Sequence, residues 1–276
     1  AVESGNVQFL DNPFNDFLDD IIDLLDMKAL RKRGLRVIFD SMHGSGTYPL
    51  LVVFHTARCT IDTININKDA YFGGVMPAPS EKSLFALKNT VINGKYDLGI
   101  AMDGDGDRLG VIDSNGRYIN ANETLCLLYY YLVKYKGWKG PVVRNLATTH
   151  MLDKIAESFG ERCYEVPVGF KHISSGIDKY DAVLGGESSG GLTIRGHIKG
   201  KDGIFASSLL VEMICTTGKH LSELLSEIYG KYGYMQMSEF DTKFSQEKKE
   251  EITMNLLIGM QDFGMSGLIK QTMIKL

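Results

Sequence analysis

Short buried apolar runs alternate along this chain with longer stretches of helical spacing, the pattern of an α/β protein. Phe14 to Lys32 places Phe17, Leu18, Ile21, Ile22, Leu24, Leu25 and Leu30 on one face and predicts one amphipathic helix, capped by Asn12 or Asn15. Leu35 to Asp40 predicts a buried strand, which runs into the turn Ser41-Met42-His43-Gly44-Ser45-Gly46 and a helix from Thr47 to Ala57. Cys59 to Ile66 is the next strand by its β-branched content. A loop follows through Tyr71 to Pro79, then a helix from Ser80 through Ile92 that ends at Gly94. Tyr96 to Met102 and Leu109 to Asp113 predict two more strands, so the first unit reads β-α-β-α-β with a hairpin at its far end.

Tyr118 to Asn122 is the expected crossing into a second unit. It holds a helix over Glu123 to Tyr135, a strand over Pro141 to Leu146, a helix from about Ala147 to Phe159, and strands at Arg162 to Val168 and Ala182 to Leu184. A buried helix over Ile204 to Cys215 and another over Leu221 to Tyr232 follow. Thr148 or Thr149 is the expected cap at the start of the helix after Leu146, and Tyr129, Tyr130 and Tyr131 are expected to pack in a core. Past Gly233 the pattern changes to a strand over Tyr234 to Phe244, a helix over Ser245 to Leu257, and a last strand or tail over Gln261 to Leu276. The expected division is residues 1–118, 119–238 and a strand-helix extension at 239–276.

Two loops carry chemistry. The hairpin between Met102 and Leu109 reads DGDGDR, with Asp103, Asp105 and Asp107 separated by single glycines and followed by Arg108. Three carboxylates so close repel one another, and a loop that keeps them together usually has a cation to hold; carboxylate oxygens are hard ligands and suit Mg²⁺. A calcium hand needs Gly at loop position six and Glu at twelve, but counting from Asp103 these positions hold Arg108 and Ser114. A phosphatase with Asp103 as nucleophile and Asp105 as acid/base also fits the spacing of that pair and stays open. The second loop, Gly185 to Gly191, reads GGESSGG and sets Glu187, Ser188 and Ser189 among four glycines, a donor and acceptor set suited to vicinal hydroxyls of a hexose. Ser41 and His43 invite a nucleophile reading, but no acid orients them, so a tight strand-to-helix turn is expected. Lys171 and His172 are helix-surface residues by default and candidate neighbours of a phosphate or sugar.

Composition narrows the field. The 276 residues suggest two domains, and 44% hydrophobic against 23% charged residues allows sizeable cores. A net charge of −4 makes no electrostatic case for nucleic acid or an anionic membrane, and no apolar run is long enough to span a bilayer. Cys59, Cys126, Cys163 and Cys215 lie far apart in apolar settings, which predicts reduced thiols and a cytoplasmic protein.

The run DGDGDR resembles the metal-binding loop of the α-D-phosphohexomutases, the phosphoglucomutase and phosphomannomutase family. The resemblance implies that Asp103, Asp105 and Asp107 bind Mg²⁺ together with a phosphoserine, and that Arg108 is an active-site cation. GESSG resembles the family's sugar-recognition loop, which implies sugar contacts for Glu187 and Ser189. Gly169 matches a glycine of the substrate loop, although Phe170 stands where several members carry His. Lys201-Asp202-Gly203 resembles the family's KDG turn, which makes Lys201 an active-site lysine, and His197 matches a His of some members. The implied fold is two consecutive three-layer α/β/α domains with mixed sheets, the second and third of the family's four. The family's phosphoserine loop, T-A-S-H-N-P, and its R-x-S-G-T-x-P phosphate clamp do not occur in these residues. The expectation is therefore a fragment of a hexose-phosphate mutase, inactive alone, with a non-catalytic phosphosugar-binding module as a further reading.

Overall fold

A computed structural model describes residues 9–235 and, beyond them, 245–248, 250–252 and 254. The chain divides into two compact units. The first takes the described chain up to Asn120 together with Gly196–Glu223, and the second takes Ala121–Arg195 and the described residues from Leu224 on. Of the strand expected over Tyr234 to Phe244 only Tyr234 and Met235 are described, and neither is in a strand; the tail over Gln261 to Leu276 falls outside the described residues, and within the helix expected from Ser245 the described residues 246–248, 250–252 and 254 are helical.

In the first unit the single helix expected from Phe14 is two helices, α1 (Pro13–Leu24) and α2 (Met27–Arg33). The break has a local cause. Leu25 is extended, and the Asp26 carboxylate accepts from Ala29 N at 2.9 Å and so starts a new helix. Asn12 stands at the start of α1 but its side chain makes no capping bond; Pro13 supplies the preset φ instead.

The sheet of this unit comprises β1 (Arg36–Asp40), β2 (Thr60–Ile64), β3 (Leu98–Met102), β4 (Leu109–Asp113) and β5 (Tyr118–Ile119), in the order β2-β1-β3-β4-β5. β1 pairs in parallel with β2 and β3, while β4 returns antiparallel to β3 and β5 antiparallel to β4. On one face α4 (Phe85–Gly94) packs Leu87 and Val91 onto Ile38, Ala101 and Ile112. This helix begins later than Ser80, because Ser80 N–H donates to Ser83 Oγ and Ser83 Oγ–H to Ala78 O, which folds the intervening residues into a turn. α3 (Thr47–Thr56) packs against α8 (Gly203–Thr217), which also covers α2 and β4. α8 is buried without interruption from Gly203 to Ile214; its one buried acid, Glu212, accepts the Asp26 backbone N–H at the head of α2.

The second unit repeats the plan. Its sheet runs β7 (Cys163–Val166), β6 (Val142–Asn145), β8 (Leu184–Gly186), β9 (Leu192–Ile194), with β6, β7 and β8 parallel and β9 antiparallel. One face is covered by α7 (Phe170–Tyr180), whose Ile173 and Ile177 meet Val143 and Ala182. α5 (Ala121–Lys134) and α6 (Met151–Ser158) pack against each other, and α9 (Leu221–Tyr232) belongs to this unit from Leu224 on. α5 is buried without interruption from Thr124 to Val133, including the three tyrosines, so the aromatic cluster is packing. In both sheets the parallel strands end on a hairpin, β3–β4 in one and β8–β9 in the other, and each hairpin carries one of the two functional loops.

Candidate functional site

The acidic loop begins where β3 ends. Asp103 is fully buried, and its Oδ1 accepts the backbone N–H groups of Asp107 (3.0 Å) and Arg108 (2.9 Å). Arg108 Nε also donates to Oδ2. These bonds turn the loop back on its own first carboxylate. Gly106 adopts φ 77°, which an L side chain rarely takes, and closes the turn by donating to Asp103 O at 3.1 Å. Asp105 is exposed and Asp107 half-buried, yet one oxygen of each of the three carboxylates lies within 4.8 Å of the others. That is the donor set a hard divalent cation takes, with remaining positions left for water or a substrate phosphate. In donor chemistry Asp103, Asp105 and Asp107 therefore suit a hard divalent cation such as Mg²⁺.

Two cations balance the loop in part. Arg108 Nε lies 3.6 Å from Asp107 Oδ1, and Lys201 Nζ lies 3.6 Å from Asp107 Oδ2. Burial pushes the Asp107 carboxyl above its ordinary range, and the charges of Asp103 and Asp105 add to the rise; Lys201 and Arg108 act against it. Three carboxylates and two cations leave net negative charge at the loop.

The loop is braced from two sides within the same unit. Ser45 N–H donates to Gly104 O at 3.1 Å, so the turn after β1 forms one wall. Ser41 and His43 within that turn do not meet. Ser41 Oγ–H donates to Asn65 O (2.7 Å) and His43 Nδ1 bonds Asn67 O (2.8 Å), the structural role expected. On the other side Gly203 N–H donates to Gly106 O at 3.0 Å, and a Cβ at Gly203 would stand 2.6 Å from that oxygen. Only glycine lets the head of α8 come this close.

The start of α8 holds Lys201 at the loop. Asp202 Oδ1 accepts from Ile204 N (2.8 Å) and Phe205 N (3.2 Å), capping α8. Its Oδ2 lies 2.7 Å from His197 Nε2, and the His197 ring stacks on Phe205 with centroids 4.3 Å apart. His197, which the family resemblance makes a candidate substrate neighbour, has a side chain only 1% exposed that bonds Asp202. Asp202, the middle of the KDG turn, is of a type that caps helices and stands just before the apolar run from Ile204, a signal the sequence reading passed over.

In the second unit Glu187 follows β8 and is 6% exposed. Its Oε1 accepts from Gly169 N (3.1 Å) and Asn145 Nδ2 (3.1 Å), and Ser189 Oγ lies 3.5 Å from Oε2. Gly169 has φ 122°, a conformation that aims its N–H at Glu187 and suits only glycine. Ser189 and Lys171 are exposed, Lys171 on the first turn of α7. The structure thus brings Gly169, Glu187 and Ser189 together at the carboxyl ends of the parallel strands, where open α/β sheets bind ligands. Thr149 Oγ1 accepts from Met151 N (3.1 Å) at the head of α6, whereas Thr148 is buried and bonded to Asn145. Asn145 was missed; inside a strand reading VVRN its only signal was a polar residue at a strand end.

The fold and the two hairpins define a chain of two related α/β/α domains, one with an acidic loop and one with a glycine-flanked glutamate at the corresponding turn. Comparison with known families agrees. Residues 15–116 match the model of phosphoglucomutase/phosphomannomutase α/β/α domain II, and residues 120–232 match that of domain III. The chain belongs to the phosphoglucomutase/phosphomannomutase family. A phosphoglucomutase/phosphomannomutase of Thermococcus kodakarensis is 29% identical over 79% of this chain and 48% of its own length. A Methanosarcina acetivorans protein assigned as a phosphoglucosamine mutase is 32% identical over 81% of this chain and 49% of its own. Among solved structures, a Thermus thermophilus protein assigned as a phosphomannomutase superposes with a TM-score of 0.75 at 32% identity, covering 79% of this chain and 50% of that one. The chain spans about half the length of these relatives.

Proposed function

We propose that these residues are the metal-binding and sugar-binding domains of a phosphohexomutase, which moves a phosphoryl group between O1 and O6 of a hexose phosphate. The observation that carries this is the convergence of the Asp103, Asp105 and Asp107 carboxylates, with Lys201 against one of them. Those three side chains would hold Mg²⁺. The ion, when bound, would neutralise charge on a phosphoryl oxygen. Arg108 and Lys201 supply fixed positive charge beside it, where charge develops during transfer. In this reading Lys201 would also hold a proton for the sugar oxygen that gains or loses phosphate.

In the second unit Glu187 and Ser189 accept and donate to sugar hydroxyls, Gly169 fixes Glu187 from behind, and Lys171 offers a cation to the sugar's phosphate. His197 works through Asp202 rather than on substrate. The phosphoryl donor by family resemblance is a phosphoserine, whose loop pattern is absent from these 276 residues. The chain alone is therefore expected to bind hexose phosphate without turning it over. All four thiols are free, which supports a cytoplasmic setting. The phosphatase reading loses ground, since Asp103 is buried and holds Arg108, a poor arrangement for a nucleophile.

Calorimetry tests this reading with glucose 1-phosphate, mannose 1-phosphate and glucosamine 1-phosphate, each with Mg²⁺. Binding of at least one that Glu187→Ala abolishes is expected. No binding at millimolar concentration, or phosphate release from any of them, would overturn it.

A further inference from the structure

We propose that Asn145 is the positioning residue that sets the Glu187 carboxylate for sugar recognition, an inference that rests on the sugar-binding reading above. β6 and β8 are paired with Arg144 opposite Gly186, so Asn145 and Glu187 each stand at the end of their strand, side by side. The amide of Asn145 has one orientation open to it. Its Oδ1 accepts from Thr148 Oγ1 at 2.7 Å and from Ala147 N at 3.0 Å. Two donors on one end force the NH₂ end the other way, onto Glu187 Oε1 at 3.1 Å.

Gly169 N–H meets the same oxygen at 3.1 Å, so Oε1 is clamped between two N–H groups and the plane of the carboxylate is set. Asn145, Thr148 and Glu187 are all buried, at 2%, 3% and 6% exposure. A polar network shut away from water is rigid when each member is satisfied and costly when one is removed. Loop glycines on either side of Glu187 cannot impose that rigidity, so it comes from the neighbouring strand. The chain thus separates two jobs: Glu187 presents an acceptor, and Asn145 decides where the acceptor points.

A substitution series separates positioning from mere packing. Asn145→Asp keeps the shape and the Oδ acceptor for Thr148 and Ala147 but faces a second acceptor toward Glu187; Asn145→Ala removes the group. A packing role makes the isosteric Asp variant the milder one. Positioning by a donated hydrogen bond makes it the more damaging one. The readouts are the Gly169 amide resonance of the free chain and, by calorimetry with Mg²⁺, the affinity for whichever of glucose, mannose and glucosamine 1-phosphate the wild-type chain binds most tightly.

Expected are a shifted Gly169 amide in both variants, affinity down about tenfold in Asn145→Ala, and a further loss in Asn145→Asp. Thr148→Val, which leaves Asn145 in place with one donor fewer, moves both readouts in the same direction by less, and carries the test if the Asn145 variants do not fold. Wild-type chain that binds no sugar phosphate overturns the sugar reading and this inference with it. Binding that survives Asn145→Ala with an unmoved Gly169 amide, or Asn145→Asp binding as well as wild type, overturns this inference alone.

Discussion

Lys201 Nζ stands 3.6 Å from Asp107 Oδ2, so a protein cation rests against one of the three carboxylates that converge on the proposed metal position. The segment Gly196–Glu223 belongs to the same compact unit as the acidic hairpin, which is how a lysine far along the chain reaches it. The contact sets up a competition between the ammonium group and a divalent ion for Asp107.

Removing that competitor tightens divalent binding by this chain. An unscreened pair at this separation interacts by about 4 kcal/mol at an effective dielectric of 20, but partial exposure reduces the net worth to about 1 kcal/mol. Lys201→Met is expected to raise Mn²⁺ affinity roughly fivefold, measured by the loss of free-ion signal in electron paramagnetic resonance. Unchanged or weaker affinity would show that the lysine does not contest Asp107.

The three aspartates divide between folding and binding. Asp103 is buried and accepts two backbone N–H groups and Arg108, so Asp103→Asn is expected to destabilise the chain by about 1–3 kcal/mol in urea as well as impair metal binding. Asp105 is exposed, so Asp105→Asn is expected to leave the urea midpoint in place while lowering Mn²⁺ affinity about tenfold. Equal stability losses in both variants would refute the division.

His197 is expected to behave as a structural group. Breaking its buried bond to Asp202 in His197→Ala costs about 2 kcal/mol, seen as a lower urea midpoint at constant slope. His197→Gln, which keeps a donor, recovers part of the loss. A residue that only touched substrate would leave the midpoint unmoved and change sugar affinity instead.

The cysteines are expected to be slow to react. Burial disfavours thiolate, which pushes Cys59 up, Cys163 and Cys215 up to about 12, and Cys126 higher still. Since only thiolate attacks a disulfide reagent, labelling of the folded chain at pH 8 should be slow and should quicken as pH rises toward the shifted values. All four should react promptly in urea. One fast thiol in the folded chain at pH 8 would contradict this.

Much of the fold was legible because its signals are local. Strand runs such as Leu98–Met102 and the Asp-Gly alternation after them declare themselves within a few residues. What sequence reading missed depends on partners distant in the chain. Phe14 to Lys32 keeps helical spacing throughout, so the break at Asp26 shows only in its capping bond to Ala29. His197 carries a motif's signature, yet its role comes from the Phe205 ring and the Asp202 carboxylate that enclose it. Asn145 looked like one more strand residue until β6 and β8 were aligned and Glu187 fell beside it. The largely apolar α8 announced burial without saying what it would cover; α2, α3 and β4 are the answer.

The central claim is that the acidic hairpin grips a divalent ion, and paramagnetic broadening tests it most directly. Substoichiometric Mn²⁺ added to isotopically labelled chain should first erase the amide signals of Gly104, Gly106 and Arg108, together with Gly203 on the loop's far side, and Asp107→Asn should weaken the effect. Broadening centred elsewhere, or none at these amides with millimolar Mn²⁺, would contradict the account.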